Sequence, residues 1–101
     1  MVDEYWWESW VSDVVPYALL IRLFRDEAMT ADEFEILYLR LFKSDSTDWP
    51  DQIFDVLDGL FADVDSYCAD DQLREKVHGL DSVDLRQKAD LALAALTELA
   101  G

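Results

Sequence analysis

Hydrophobic positions recur with helical spacing almost from end to end of this chain, and no stretch alternates in the period-two manner of a half-buried strand. Asp3 is placed to cap a short turn carrying Tyr5, Trp6, Trp7 and Trp10. A first main helix is predicted from about Ser12 to Glu27, with Pro16 tolerable only near its start. Its apolar set reads Val15, Leu19, Leu20, Leu23 and Phe24. Thr30-Ala31-Asp32-Glu33 has the form of a capping box, Thr30 serving as N-cap and Glu33 reaching back to it. The box opens a second helix to about Lys43, burying Phe34, Leu37, Tyr38, Leu41 and Phe42.

Ser44 to Trp49 is a polar connection, after which Thr47 or Asp48 with Pro50 begins a third helix. That helix is predicted to be the longest, reaching about Cys68. Asp70 to His78 holds one further turn, which Gly79 ends. Asp81 or Ser82 caps a last helix that buries Leu85, Ala89, Ala92, Leu93, Leu96 and Leu99. With no repeat, low-complexity stretch or Gly/Ser linker, residues 1–101 read as one domain. Four amphipathic helices with short connections predict an all-α fold, a single small antiparallel four-helix bundle with a short extra helical turn at its N-terminus.

Composition agrees with a folded core: 51% of the 101 residues are apolar, and a chain of this size can close one core without metal or disulfide staples. Charge adds something new. There are 23 Asp and Glu against 8 Lys and Arg, a formal charge of −15. In an apolar chain that excess sits on a folded surface at some cost in self-repulsion. Such a surface repels nucleic acid, anionic lipid and anionic cofactors, and its natural complement is a basic partner. The single Cys68 cannot form an intramolecular disulfide, which fits a reducing compartment. The start, Met1-Val2-Asp3-Glu4, has no basic or apolar signal region, and no apolar run approaches a membrane span. A cytoplasmic protein without membrane association is expected.

The acid is concentrated. Between Lys43 and Arg74 stand nine aspartates and no base: Asp45, Asp48, Asp51, Asp55, Asp58, Asp63, Asp65, Asp70 and Asp71. Projected on the third helix at about 100° per residue, Ile53, Phe54, Val56, Leu57, Leu60, Phe61, Val64, Tyr67 and Cys68 fill one broad arc. Asp51, Asp55, Asp58 and Asp65 fall in a narrow stripe opposite, with Ala62 between them and Gly59 beside them. Asp63 stands alone at the other rim of the apolar arc. Like charges at these spacings cost roughly 0.2–0.5 kcal/mol per pair, and a surface shaped only for solubility would interleave lysine. The stripe is about 21 Å long at 1.5 Å per residue and could stand in for a run of phosphates in a basic cleft. A solvated acidic face is the blander reading of the same pattern.

Motifs for catalysis are mostly absent. His78 is the only histidine, so a two-histidine zinc site is ruled out, and beside Gly79 it reads as a loop or cap residue. Cys68, on the apolar arc and without a nearby histidine, reads as a buried structural thiol. Asp45-Ser46-Thr47-Asp48-Trp49-Pro50-Asp51 lacks the glycine and closing glutamate of a calcium loop. The tryptophans, Trp49 included, read as seals on the ends of the core. No cofactor or metal site and no catalytic residue is expected.

Thr30-Ala31-Asp32-Glu33-Phe34-Glu35, the stretch from Ile53-Phe54-Asp55-Val56-Leu57-Asp58 through Asp63-Val64-Asp65-Ser66-Tyr67, and Asp70-Asp71-Gln72-Leu73-Arg74 together carry a resemblance. The chain resembles the colicin D-like bacterial immunity proteins over about Ser12 to Leu99, leaving the Trp-rich N-terminus outside. The resemblance implies a small antiparallel four-helix bundle that binds the nuclease domain of a cognate toxin and occludes its active site. For the colicin D type the toxin cleaves tRNA at the anticodon loop, and the acidic surface of the inhibitor fills the cleft meant for RNA. Related immunity proteins occur in contact-dependent growth inhibition. Carried over by residue, the toxin-binding positions fall on Asp58, Asp63 and Asp65; Asp55, Asp51, Asp70 and Asp71 join them on charge grounds. Exposed aromatics, Trp49 or Tyr67, would supply anchors. The alternative is an acidic nucleic-acid mimic, an adaptor acting on a DNA- or RNA-binding protein.

Overall fold

The computed structural model describes the backbone of residues 4–100 and the side chains of residues 12–100. It holds five helices: α1 (Glu4–Arg25), α2 (Ala31–Ser44), α3 (Asp51–Asp65), α4 (Asp71–Val77) and α5 (Ser82–Ala100). Among the described residues the only β-type pairing is an isolated bridge between Tyr67 and Leu80. The expected roles of Trp6, Trp7 and Trp10 lie outside the described side chains.

The separate N-terminal turn is not observed: α1 is one helix of 22 residues with Pro16 inside it. A proline there withholds an N–H from the Ser12 carbonyl and crowds it. Ser12 and Pro16 are both exposed, so the freed carbonyl lies on the solvent side. The buried face of α1 also differs from expectation, being Val14, Tyr17, Ile21 and Phe24. Val15, Leu19 and Leu23 face outward, 45%, 52% and 47% exposed. Two apolar stripes were available, and tertiary partners chose between them: the Tyr17 hydroxyl donates to Asp45 Oδ2 at 2.6 Å, and Phe24 stacks on Phe34 at 4.4 Å between ring centres.

The capping box of α2 forms as the sequence predicts, the Glu33 N–H donating to Thr30 Oγ1 and the Thr30 N–H to Glu33 Oε1. Phe34 and Tyr38 are buried and Leu41 and Phe42 half-buried, while Leu37 turns to solvent. The buried Tyr38 hydroxyl donates to the Leu57 carbonyl at 2.7 Å, which ties α2 to α3.

α3 is shorter than expected, at 15 residues, with Pro50 at its N-cap rather than in its first turn. It stops because the chain finds other backbone partners: the Cys68 N–H donates to the Leu80 carbonyl and the Leu80 N–H to the Ser66 carbonyl, each at 2.9 Å. Tyr67 and Cys68 therefore lie beyond the helix, and Cys68 is half-buried in a turn rather than sealed in the apolar arc. Asp70 caps α4, and His78 ends it in the left-handed conformation at φ 56°, the cap role its place beside Gly79 suggested. In α5, Leu85, Ala89, Leu93 and Leu96 are buried, Ala92 is half-buried and Leu99 is exposed.

α1 packs against α2 and α5, α3 packs against the same two, and α2 touches α5 more narrowly. α1 and α3 make no contact among the described residues, so they stand diagonally across one shared core. Each large apolar side chain buried in it contributes about 1.5–3 kcal/mol relative to exposure. α4 packs against none of the other helices.

Candidate functional site

Packing Ile53, Leu57, Leu60 and Val64 into the core fixes the rotation of α3, and that rotation aims its aspartates outward. Asp51, Asp55, Asp58 and Asp65 are all exposed, as are Gly59 and Ala62 between and beside them. None of these four aspartates forms an ion pair among the described residues; the pairs found are Arg25 with Asp26 and Asp90, and Arg74 with Asp71. The stripe is therefore a row of carboxylates without local neutralisation.

Asp63 does not join it. α3 runs unbroken past Asp63 to Asp65, so the helical repeat of about 100° sets Asp63 some ~140° from Asp58 and ~160° from Asp65. Asp63 is half-buried on the flank facing α5; burial pushes its carboxyl up, and the charge of Lys88 pulls it partly back. Of the three positions carried over from the resemblance, two share a face and one does not.

On the other flank the stripe continues onto α2. Burial pushes the Glu35 carboxyl up, and the neighbouring charges of Asp32 and Asp65 push it further. The Tyr67 hydroxyl donates to Asp32 Oδ1 at 2.8 Å, and burial, that hydrogen bond and the nearby carboxylates push it up to about 12. Asp32 and Glu35 thus extend the acidic face across the α2–α3 seam. Sequence reasoning assigned Asp32 to the helix cap and gave Glu35 no role, because only the tertiary fold brings α2 beside Asp65. The Glu-Phe-Glu spacing of the second helix was the one available signal.

Other acids of the base-free run do local work. Asp70 accepts from the Leu73 N–H at 3.0 Å, and Asp71 pairs with Arg74. Asp45 accepts from the Tyr17 hydroxyl, from Trp49 Nε1 at 2.9 Å and from the Thr47 N–H at 2.8 Å. Burial alone would raise its carboxyl, but these hydrogen bonds outweigh burial and hold it below the usual carboxylate range. Trp49 lies edge-on to Tyr17 and is half-buried, so it seals the core. Its N–H is bound to Asp45 and the Tyr67 hydroxyl to Asp32, so both aromatics have their polar atoms satisfied within the fold. No charged side chain is buried among the described residues.

The model of one protein family, bacterial self-protective colicin-like immunity, matches residues 11–96, a span that takes in most of α1 and all of α2, α3 and α4. The chain belongs to this family. No curated protein and no solved structure matches it. Membership makes it a colicin-like immunity protein, an inhibitor that binds and neutralises a cognate toxin. In that setting the outward face of α3 is a surface preorganised by the core behind it. Its backbone cannot move without unpacking Leu57, Leu60 and Val64, so its carboxylates hold a fixed spacing. Among the described residues no helix of this immunity protein is long and apolar enough to cross a membrane.

Proposed function

We propose that this immunity protein is of the colicin D-like type and neutralises a nuclease toxin, a tRNA-cleaving ribonuclease, in the cytoplasm. Its acidic α3 face enters the basic cleft that would otherwise hold RNA. The observation that carries this reading is the unneutralised row of Asp51, Asp55, Asp58 and Asp65, extended by Asp32 and Glu35 across the α2–α3 seam. Carboxylates at three- and four-residue helical spacing stand a few ångströms apart and offer arginine and lysine side chains successive partners, as a phosphate backbone does. Such a surface steers a basic partner into rapid, salt-sensitive association and blocks the toxin site by occupying it. The pairwise packing of the four long helices supports reading them as the antiparallel bundle of this type: Arg86 near the start of α5 donates to the Phe24 carbonyl at the end of α1.

Co-expression with the toxin domain encoded beside this chain tests the reading. Rescued growth and a co-purifying complex are expected, with protection of cellular tRNA from cleavage. Rescue without tRNA cleavage by the free toxin would reject the ribonuclease assignment. A toxin that kills undiminished would reject the pairing, and capture of a DNA- or RNA-binding regulator instead would favour the nucleic-acid mimic.

A further inference from the structure

Helix-to-helix connections in bundles usually take about 2–8 residues. Here the chain between Asp65 and Ser82 is far longer than its span requires. The Tyr67–Leu80 bridge already brings the two ends together, so residues 68–79 leave the bundle and return to the same place. This excursion carries α4, which packs on no other helix and buries none of its residues.

A seven-residue helix is unstable by itself. This one is held by local devices: the Asp70 cap, Arg74 Nη1 donating to the Cys68 carbonyl at 2.9 Å, and the left-handed His78. At Gly79 an added Cβ would stand 2.7 Å from the Ser66 backbone oxygen, so only glycine lets the return strand close this tightly. The fold thus fixes a short helix in place without using it for the core. Among the polar side chains that α4 exposes stand two apolar ones: Leu73 and Val77, four residues apart on one face, are 51% and 58% exposed.

We infer that Leu73 and Val77 on α4 are the apolar anchors of the toxin interface, docking into a hydrophobic patch beside the toxin's basic cleft. The inference rests on the proposed function. The occupant follows from continuity and charge. The excursion springs from the end of α3, directly after Asp65, the last carboxylate of the stripe, and after Tyr67, whose hydroxyl is bound to Asp32 of the same acidic face, so α4 adjoins the end of the surface that a basic partner would cover. The acidic face then governs encounter, while desolvated apolar side chains govern how long the complex lasts.

The test measures binding kinetics with the catalytically inactivated toxin domain encoded beside this chain. Leu73→Ser with Val77→Ser should accelerate dissociation at least about tenfold and leave association and its salt dependence unchanged. Asp55→Asn with Asp58→Asn should instead slow association. Dissociation within twofold of the unsubstituted chain, alongside slowed association for the aspartate variant, overturns the inference and leaves the acidic-face reading standing. If neither variant alters binding, the acidic-face reading itself fails. Hydrogen exchange on the unsubstituted chain gives a check independent of variant folding: amides of residues 71–77 should slow in the complex. Unchanged exchange there while α3 slows overturns the inference as well.

Discussion

At the residue scale, one aspartate of the base-free run belongs to the fold rather than to the surface. Asp45 joins Tyr17 of α1 to Trp49 and Thr47 of the α2–α3 connection through one carboxylate. Hydrogen bonds to a charged group are worth about 1.5–3 kcal/mol each, less where solvent competes, and losing the acceptor leaves the hydroxyl of the buried Tyr17 and the N–H of the half-buried Trp49 unpaired. Asp45→Ala should therefore lower stability at pH 7 by about 1–3 kcal/mol in urea denaturation. Gly59 shows the opposite case. Nothing lies within 4 Å of a Cβ added there, and glycine in a helix interior is worth about 1 kcal/mol less than alanine. Gly59→Ala should raise stability by about that amount in the same measurement.

At the element scale, α3 gives up stability for its surface. Asp51 with Asp55 and Asp55 with Asp58 are like-charged neighbours at four and three residues, each pair costing roughly 0.2–0.5 kcal/mol. Replacing Asp55, Asp58 and Asp65 with Asn should leave helical circular dichroism intact and raise the thermal midpoint slightly, while slowing toxin association about tenfold or more. Asp63→Asn should leave association within about twofold, because Asp63 faces the α5 flank. A loss as large as that from Asp58→Asn would place the partner across the α3–α5 edge instead. The length of α3 and the face of α1 were not legible in the sequence. Apolar residues continue past Asp65, and only the backbone pairing with Leu80 stops the helix. On α1 both Val15-Leu19-Leu23 and Val14-Tyr17-Ile21 are valid stripes, and Tyr17 wins because Asp45 satisfies its hydroxyl.

At the scale of the whole molecule, a formal charge of −15 makes stability depend on pH in two opposing ways. Glu35 and Asp63 have carboxyls raised in the folded state, so folding costs free energy above their unfolded values of roughly 4, and that cost is relieved as pH falls through the folded ones. Asp45 and Asp81 are depressed, so the stability they add is present above about 3.9 and is lost as pH falls through their lower folded values. General self-repulsion also weakens as carboxylates discharge. The thermal midpoint should therefore rise from pH 7 toward about pH 5 and fall again below about pH 3.5. A midpoint that fails to rise between pH 7 and pH 5 would show that neither general repulsion nor the raised carboxyls of Glu35 and Asp63 limit stability there.

The sequence by itself determined the helical class, the capping box at Thr30, the cap role of His78 and the outward stripe on α3. Each is set by short-range spacing: hydrogen bonds three and four residues apart, and a repeat that separates apolar from acidic positions. It also carried the family, through aromatic and acidic residues interleaved at fixed intervals. Only the tertiary structure decided which face of α1 is buried, that α3 runs unbroken past Asp63 and so keeps it on the rim where the projection set it, and that Asp32 and Glu35 join the acidic surface. It also showed that Leu73 and Val77 stand free on a helix the core does not use. Those outcomes depend on contacts between residues distant in the chain, where a hydroxyl's acceptor, a stacking ring or a paired backbone selects among faces that local periodicity leaves equivalent.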